Sequence, residues 1–70
     1  MDIKRYEEEP LSCAIKRERK NREMTQQELA NLVGVQKAAI CRYEKGYKNP
    51  SVKVLKKLIK VLDLNMKEIK

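Results

Sequence analysis

The sequence predicts a small all-α fold, and three observations carry that reading. Its apolar residues are mostly Leu, Ile, Val and Ala, with no Trp or Phe and only two Gly and two Pro, a composition that favours helices over a sheet of many turns. A Thr-x-x-Glu start at Thr25 to Glu28, followed by glycines at positions 34 and 46, punctuates the chain with helix beginnings and ends. From residue 52 onward, apolar residues and lysines separate onto opposite faces at helical spacing. Seventy residues are enough for one domain, which at that size buries a modest fraction of its surface and holds a small margin of stability.

Taken in order, "MDIKRYEEEP" contains the acidic triplet Glu7 to Glu9 and ends in Pro10, so residues 1–10 read as an acidic, flexible or loosely docked arm before a domain over 11–70. The first helix is expected from Leu11 to about Arg22. Leu11 and Ile15 stand at i, i+4 with Ala14 alongside, and the following "KRERKNR" is polar almost throughout. The second starts at the capping box, in which the Thr25 hydroxyl accepts from the Glu28 amide and the Glu28 carboxylate returns to the Thr25 amide. It carries Leu29, Ala30, Leu32 and Val33 and stops at Gly34, the residue best suited to the left-handed conformation after a helix end.

The third helix must begin by Gln36 or Lys37, so the turn between the two is short and their crossing sharp. At about 100° per residue it has two faces. Ala39, Ile40 and Tyr43 point to a core, whereas Lys37, Ala38, Cys41, Arg42 and Lys45 form a basic face with small residues between the charges, open to a flat partner. After Gly46, "YKNPS" forms a loop whose Pro50 and Ser51 suit the start of a fourth helix. There Val52, Leu55, Leu58, Ile59 and Leu62 make the apolar stripe, with Lys53, Lys56, Lys57 and Lys60 opposite. Asn65 to Glu68 offers a second capping-type start for a short fifth helix with Met66 and Ile69.

Net charge is +7, unevenly placed: −2 over residues 1–10, +4 over 11–22, −2 over 23–35 and +7 over 36–70. Two basic blocks separated by an acidic one are the footprint of a protein that meets a polyanion, although a membrane surface, an acidic protein or plain solvent would also suit them. Cys13 and Cys41 form no CxxC pair and there is no His, so neither a metal nor any other cofactor is expected. An enzyme is not expected either, because neither Cys has a visible base partner. With no membrane-length apolar run and no signal-peptide core at the start, the expected compartment is the reducing cytoplasm, with both thiols free.

Three blocks in order, "TQQELANLVGV" with Ala30 and Gly34 at fixed offsets, "AAICRYEKG" and "NPSVKVLKKLIKVLDL", make residues 15–69 strongly resemble the Cro/cI-type (XRE family) helix-turn-helix proteins, the family of the phage lambda repressor. That resemblance implies a compact five-helix fold whose second and third helices form the motif. Ala30 would sit at the close crossing of those helices, where a larger side chain would wedge them apart, and Gly34 would supply the turn.

The resemblance also implies sites. Gln36, Lys37, Ala38, Cys41 and Arg42 would face the major groove. Lys37 and Arg42 have donors for guanine O6 and N7, Gln36 suits adenine, and Ala38 suits a thymine methyl. Gln26 at the start of the second helix, with Lys48 and Asn49 after the third and Lys45 beside them, would contact phosphates. Arg19 and Glu44 would form a structural ion pair. Gln36 stands where relatives often have a capping Ser or Thr, so the first turn of the third helix should be less firmly held. An outward Cys41 thiol would meet DNA or an oxidant.

The implied function is a sequence-specific double-stranded DNA-binding transcriptional regulator, a repressor that occupies an inverted-repeat operator as a homodimer, the dimer being weak without DNA. Leu64, Met66 and Ile69 would either join the two copies or seal the core. The alternative is an antitoxin or other interaction module whose acidic arm around Glu7 to Glu9 binds a partner protein.

Overall fold

The computed structural model describes residues 10–64, which form four helices: α1 (Leu11–Asn21), α2 (Gln26–Val33), α3 (Lys37–Lys45) and α4 (Val52–Leu62). Among the described residues there is no strand, in keeping with the all-α expectation. The expected fifth helix and most of the acidic arm lie outside the described residues, so the described architecture has four helices and not five. No helix among the described residues is long and apolar enough to cross a membrane.

Local chemistry sets most of the boundaries. Pro10, extended at φ −65° and ψ 151°, starts α1, and its carbonyl accepts from the amides of Cys13 and Ala14, both at 3.1 Å. The helix ends one residue short of Arg22, whose amide closes the last turn on the Glu18 and Arg19 carbonyls, both at 3.2 Å, while the Glu23 amide donates to the Lys20 carbonyl at 2.9 Å. On its polar face Glu18 pairs with Arg22 at 2.6 Å and Arg17 at 3.2 Å. Those bonds, Arg22's first, hold the Glu18 carboxyl below its ordinary value, against a smaller opposing effect of burial.

The capping box of α2 is complete: the Glu28 amide donates to Thr25 Oγ1 at 3.0 Å, and the Thr25 amide donates to Glu28 Oε1 at 2.8 Å. Gly34 then takes a left-handed φ of 76°, and Gly46 ends α3 in the same way at φ 77°. A Cβ at Gly34 would find only Lys57 Nζ, at 3.7 Å, so backbone conformation and not space demands the glycine. The same geometry carries the Lys57 ammonium close to the C-terminal end of α2, where a positive charge is favourable. Ser51 Oγ accepts from the Val54 amide at 3.3 Å to start α4, which ends at a left-handed Asp63.

The core draws on every helix. Ala14 and Ile15 of α1, Leu29, Ala30 and Val33 of α2, Ile40 and Tyr43 of α3, and Leu58 and Leu62 of α4 are buried together. Ile15, Leu29, Ile40, Leu58 and Leu62 are fully covered, and burying a side chain of that kind contributes about 1.5–3 kcal/mol. Ala30 is completely buried, and its small side chain suits the close packing of α2 on α3.

One expectation about apolar residues is corrected. Val52 is 69% exposed rather than part of the stripe, and Val54 and Val61 pack against the core instead. The buried arc of α4 is centred on Leu58 and Leu62; at about 100° per residue Val52 falls on its flank, whereas Val54 stands one turn from Leu58. Leu32 of α2, for which no burial was expected, is 56% exposed. Leu64 folds back beyond α4, its amide donating to the Ile59 carbonyl at 3.0 Å, and is buried in the core. Met66 and Ile69 lie outside the described residues.

Candidate nucleic-acid interface

Because Ile40 and Tyr43 are buried, the opposite side of α3 is turned outward. Gln36, Lys37, Ala38 and Arg42 are exposed and Cys41, a free thiol, is half-buried. Among the described residues no hydrogen bond or ion pair engages the side chains of Lys37 and Arg42. Gln36 precedes the helix with φ −86° and ψ 156° and makes no side-chain cap, as expected of a residue in place of Ser or Thr. The first turn of α3 therefore keeps its amide donors unoccupied by a capping side chain.

The inward edge of the same helix is tied down by an ion-pair network. Arg19 donates through Nε to Glu44 Oε2 at 2.6 Å and through a terminal nitrogen to Glu44 Oε1 at 3.1 Å, a two-pronged pair between α1 and α3. Its other terminal nitrogen donates to the Met24 carbonyl at 2.7 Å, in the turn between α1 and α2. The side chains of Arg19 and Glu44 are 11% and 3% exposed, and no buried side-chain polar atom among the described residues lacks a partner. Desolvating a charge pair is costly, and the added bonds to the Met24 carbonyl and to Gln26 are what offset it.

Gln26, at the first position of α2, joins this network by donating from Nε2 to Glu44 Oε1 at 3.1 Å. The sequence marked Gln26 only as a residue open to phosphate; nothing in it signalled a partner 18 positions away. The other flanking candidates, Lys45, Lys48 and Asn49, are all exposed. Lys45 Nζ stands 6.0 Å from the ring centre of Tyr47, at the outer limit of a cation–π contact. Tyr47 is 76% exposed in the loop after α3 and was not singled out from the sequence; its place between Lys45 and Lys48 was the available signal.

The geometry is thus that of two short helices joined by a tight glycine turn, the second presenting a polar basic face while the rest of it is anchored. A sequence model of a helix-turn-helix family matches residues 15–69, which takes in α2, the turn and α3. The chain belongs to this helix-turn-helix family. It is also 42% identical over 59 residues to a protein of Archaeoglobus fulgidus described as an uncharacterized HTH-type transcriptional regulator, a match that covers 84% of this chain and 83% of that one. Within the helix-turn-helix, Ala30 of α2 is fully buried and Gly34 makes the turn that leads to α3.

Proposed function

We propose that this helix-turn-helix protein is a sequence-specific, double-stranded DNA-binding transcriptional regulator, a repressor that occupies an inverted-repeat operator as a homodimer. The observation that carries the reading is the outer face of α3, where Lys37 and Arg42 stand exposed and unengaged among the described residues on a helix whose other side is locked into the core. Family membership and the description of the archaeal relative support the regulator class.

In this reading α3 enters the major groove. Arg42 and Lys37 donate to guanine edges, Gln36 pairs with adenine or a phosphate, and Ala38 and Cys41 permit close approach. Gln26, Lys45, Lys48 and Asn49 hold the flanking phosphates and set the register without reading sequence. A two-fold pair of chains places two α3 helices about 34 Å apart on one side of the duplex. The acidic segment 1–10 stands apart from this surface by its charge, and binding of a second protein is assigned to it only in the antitoxin alternative.

Selection from a random duplex library by the full chain tests the proposal. Enrichment of an inverted repeat with half-sites one helical turn apart is the expected result. Binding that is purely salt-dependent, with no sequence enriched, would overturn operator recognition and move the search to a protein partner.

A further inference from the structure

We propose that Glu44 is a positioning residue for phosphate recognition, holding the Gln26 side chain so that its nitrogen edge joins the open amides of α2 in one donor set. The inference rests on the reading of the chain as a DNA-binding protein.

The orientation of the Gln26 amide follows from the chemistry of its neighbour. A carboxylate has only acceptors, so the atom of Gln26 that faces Glu44 Oε1 at 3.1 Å must be the nitrogen. One Nε2 hydrogen is spent there. The second has no protein acceptor among the described residues, and Gln26 is only half-buried. A glutamine without this tether presents its carbonyl edge as readily as its nitrogen edge, and the carbonyl repels a phosphate.

The donor edge does not stand alone. The capping box engages the amides of Thr25 and Glu28, and Leu29 donates to the Thr25 carbonyl. The amides of Gln26 and Gln27 are left, with no protein acceptor among the described residues, at the positive end of α2. An acceptor beside a phosphate site would ordinarily add an unwelcome negative charge. Here the two-pronged bond from Arg19 neutralises Glu44, so that it orients Gln26 at little electrostatic cost to an approaching anion.

The test measures affinity of the full chain for a fluorescent duplex of about 30 base pairs of arbitrary sequence at fixed low salt, since phosphate contacts carry no sequence information. Gln26→Ala is expected to weaken binding about tenfold, the scale of one hydrogen bond to a charged group, and Glu44→Gln about threefold, a part of that loss. Added to Gln26→Ala, Glu44→Gln should change nothing further. A purely structural role gives the same loss in both backgrounds, and a purely electrostatic role gives tighter binding, because a carboxylate has been removed. Either result overturns the proposal.

Should Glu44→Gln fail to fold, the wild-type Gln26 side-chain amide decides by NMR: one hydrogen shifted by the carboxylate, the other moving when duplex is added. Both at free-glutamine positions and unmoved by duplex would overturn it. Wild type and Gln26→Ala binding duplex alike would remove the proposal and leave the DNA-binding reading intact; a wild type that binds no duplex would remove both.

Discussion

The Glu44 side chain is only 3% exposed, and every bond that makes this tolerable comes from another element: Arg19 from α1 and Gln26 from α2. Removing the carboxylate alone strands the guanidinium of the buried Arg19 with the Met24 carbonyl as its remaining acceptor. Glu44→Ala is therefore expected to cost about 3 kcal/mol and to lower Tm by on the order of 10–20 °C. Arg19→Met combined with Glu44→Leu should recover most of that loss, because an apolar pair of similar volume avoids the desolvation altogether. Thermal unfolding of the two variants checks the ordering, and a double variant no better than Glu44→Ala would mean that the network contributes more than a paired charge. The pairing of Arg19 with Glu44 was suggested by family resemblance at the level of sequence. Its third member was not, because a hydrogen bond between residues 26 and 44 leaves no trace in local spacing.

Element boundaries were legible to the extent that they are written in local chemistry. Thr25 and Glu28 close on each other within one turn, and Gly34 and Gly46 take the left-handed conformations their positions imply. Thr25→Ala and Gly34→Ala should each destabilise the fold by about 1 kcal/mol, the first by leaving the Glu28 amide uncapped and the second by forcing a Cβ into φ 76°. Denaturant midpoints measure both, and an unchanged midpoint for Gly34→Ala would show that the turn relaxes. Which arc of a helix is buried is less local. Val52 looks apolar and correctly spaced, but α4 is rolled so that Leu58 and Leu62 reach the core, and only its packing against α2 and α1 decides that phase. In α2, Leu29, Ala30 and Val33 occupy the inward arc, and Leu32 lies beyond it.

At the scale of the whole molecule, charge and architecture point to the same surface. The +7 chain keeps its α1–α3 ion pair inside and leaves Lys37, Arg42, Lys45 and Lys48 exposed along and just after α3. If Lys45 and Lys48 of two protomers neutralise phosphates, about four counterions leave the duplex, and the plot of log affinity against log salt should have a slope of about −4. Lys48→Ala should make that slope shallower by about one per protomer; an unchanged slope would place Lys48 away from the backbone. The all-α class, the two-helix motif and its outward face are legible in the sequence, because capping, glycine turns and periodicity are short-range; the network behind the face is not. The measurement that bears most directly on the account compares the sequences selected from a random duplex library by wild type, Arg42→Ala and Lys48→Ala at one salt concentration. The account predicts that Arg42→Ala relaxes a single base position, at about 1–3 kcal/mol, while Lys48→Ala weakens all sequences alike. An Arg42→Ala protein that selects the same sequences as wild type with the same discrimination would contradict it, and with it the assignment of α3 as the helix that reads DNA.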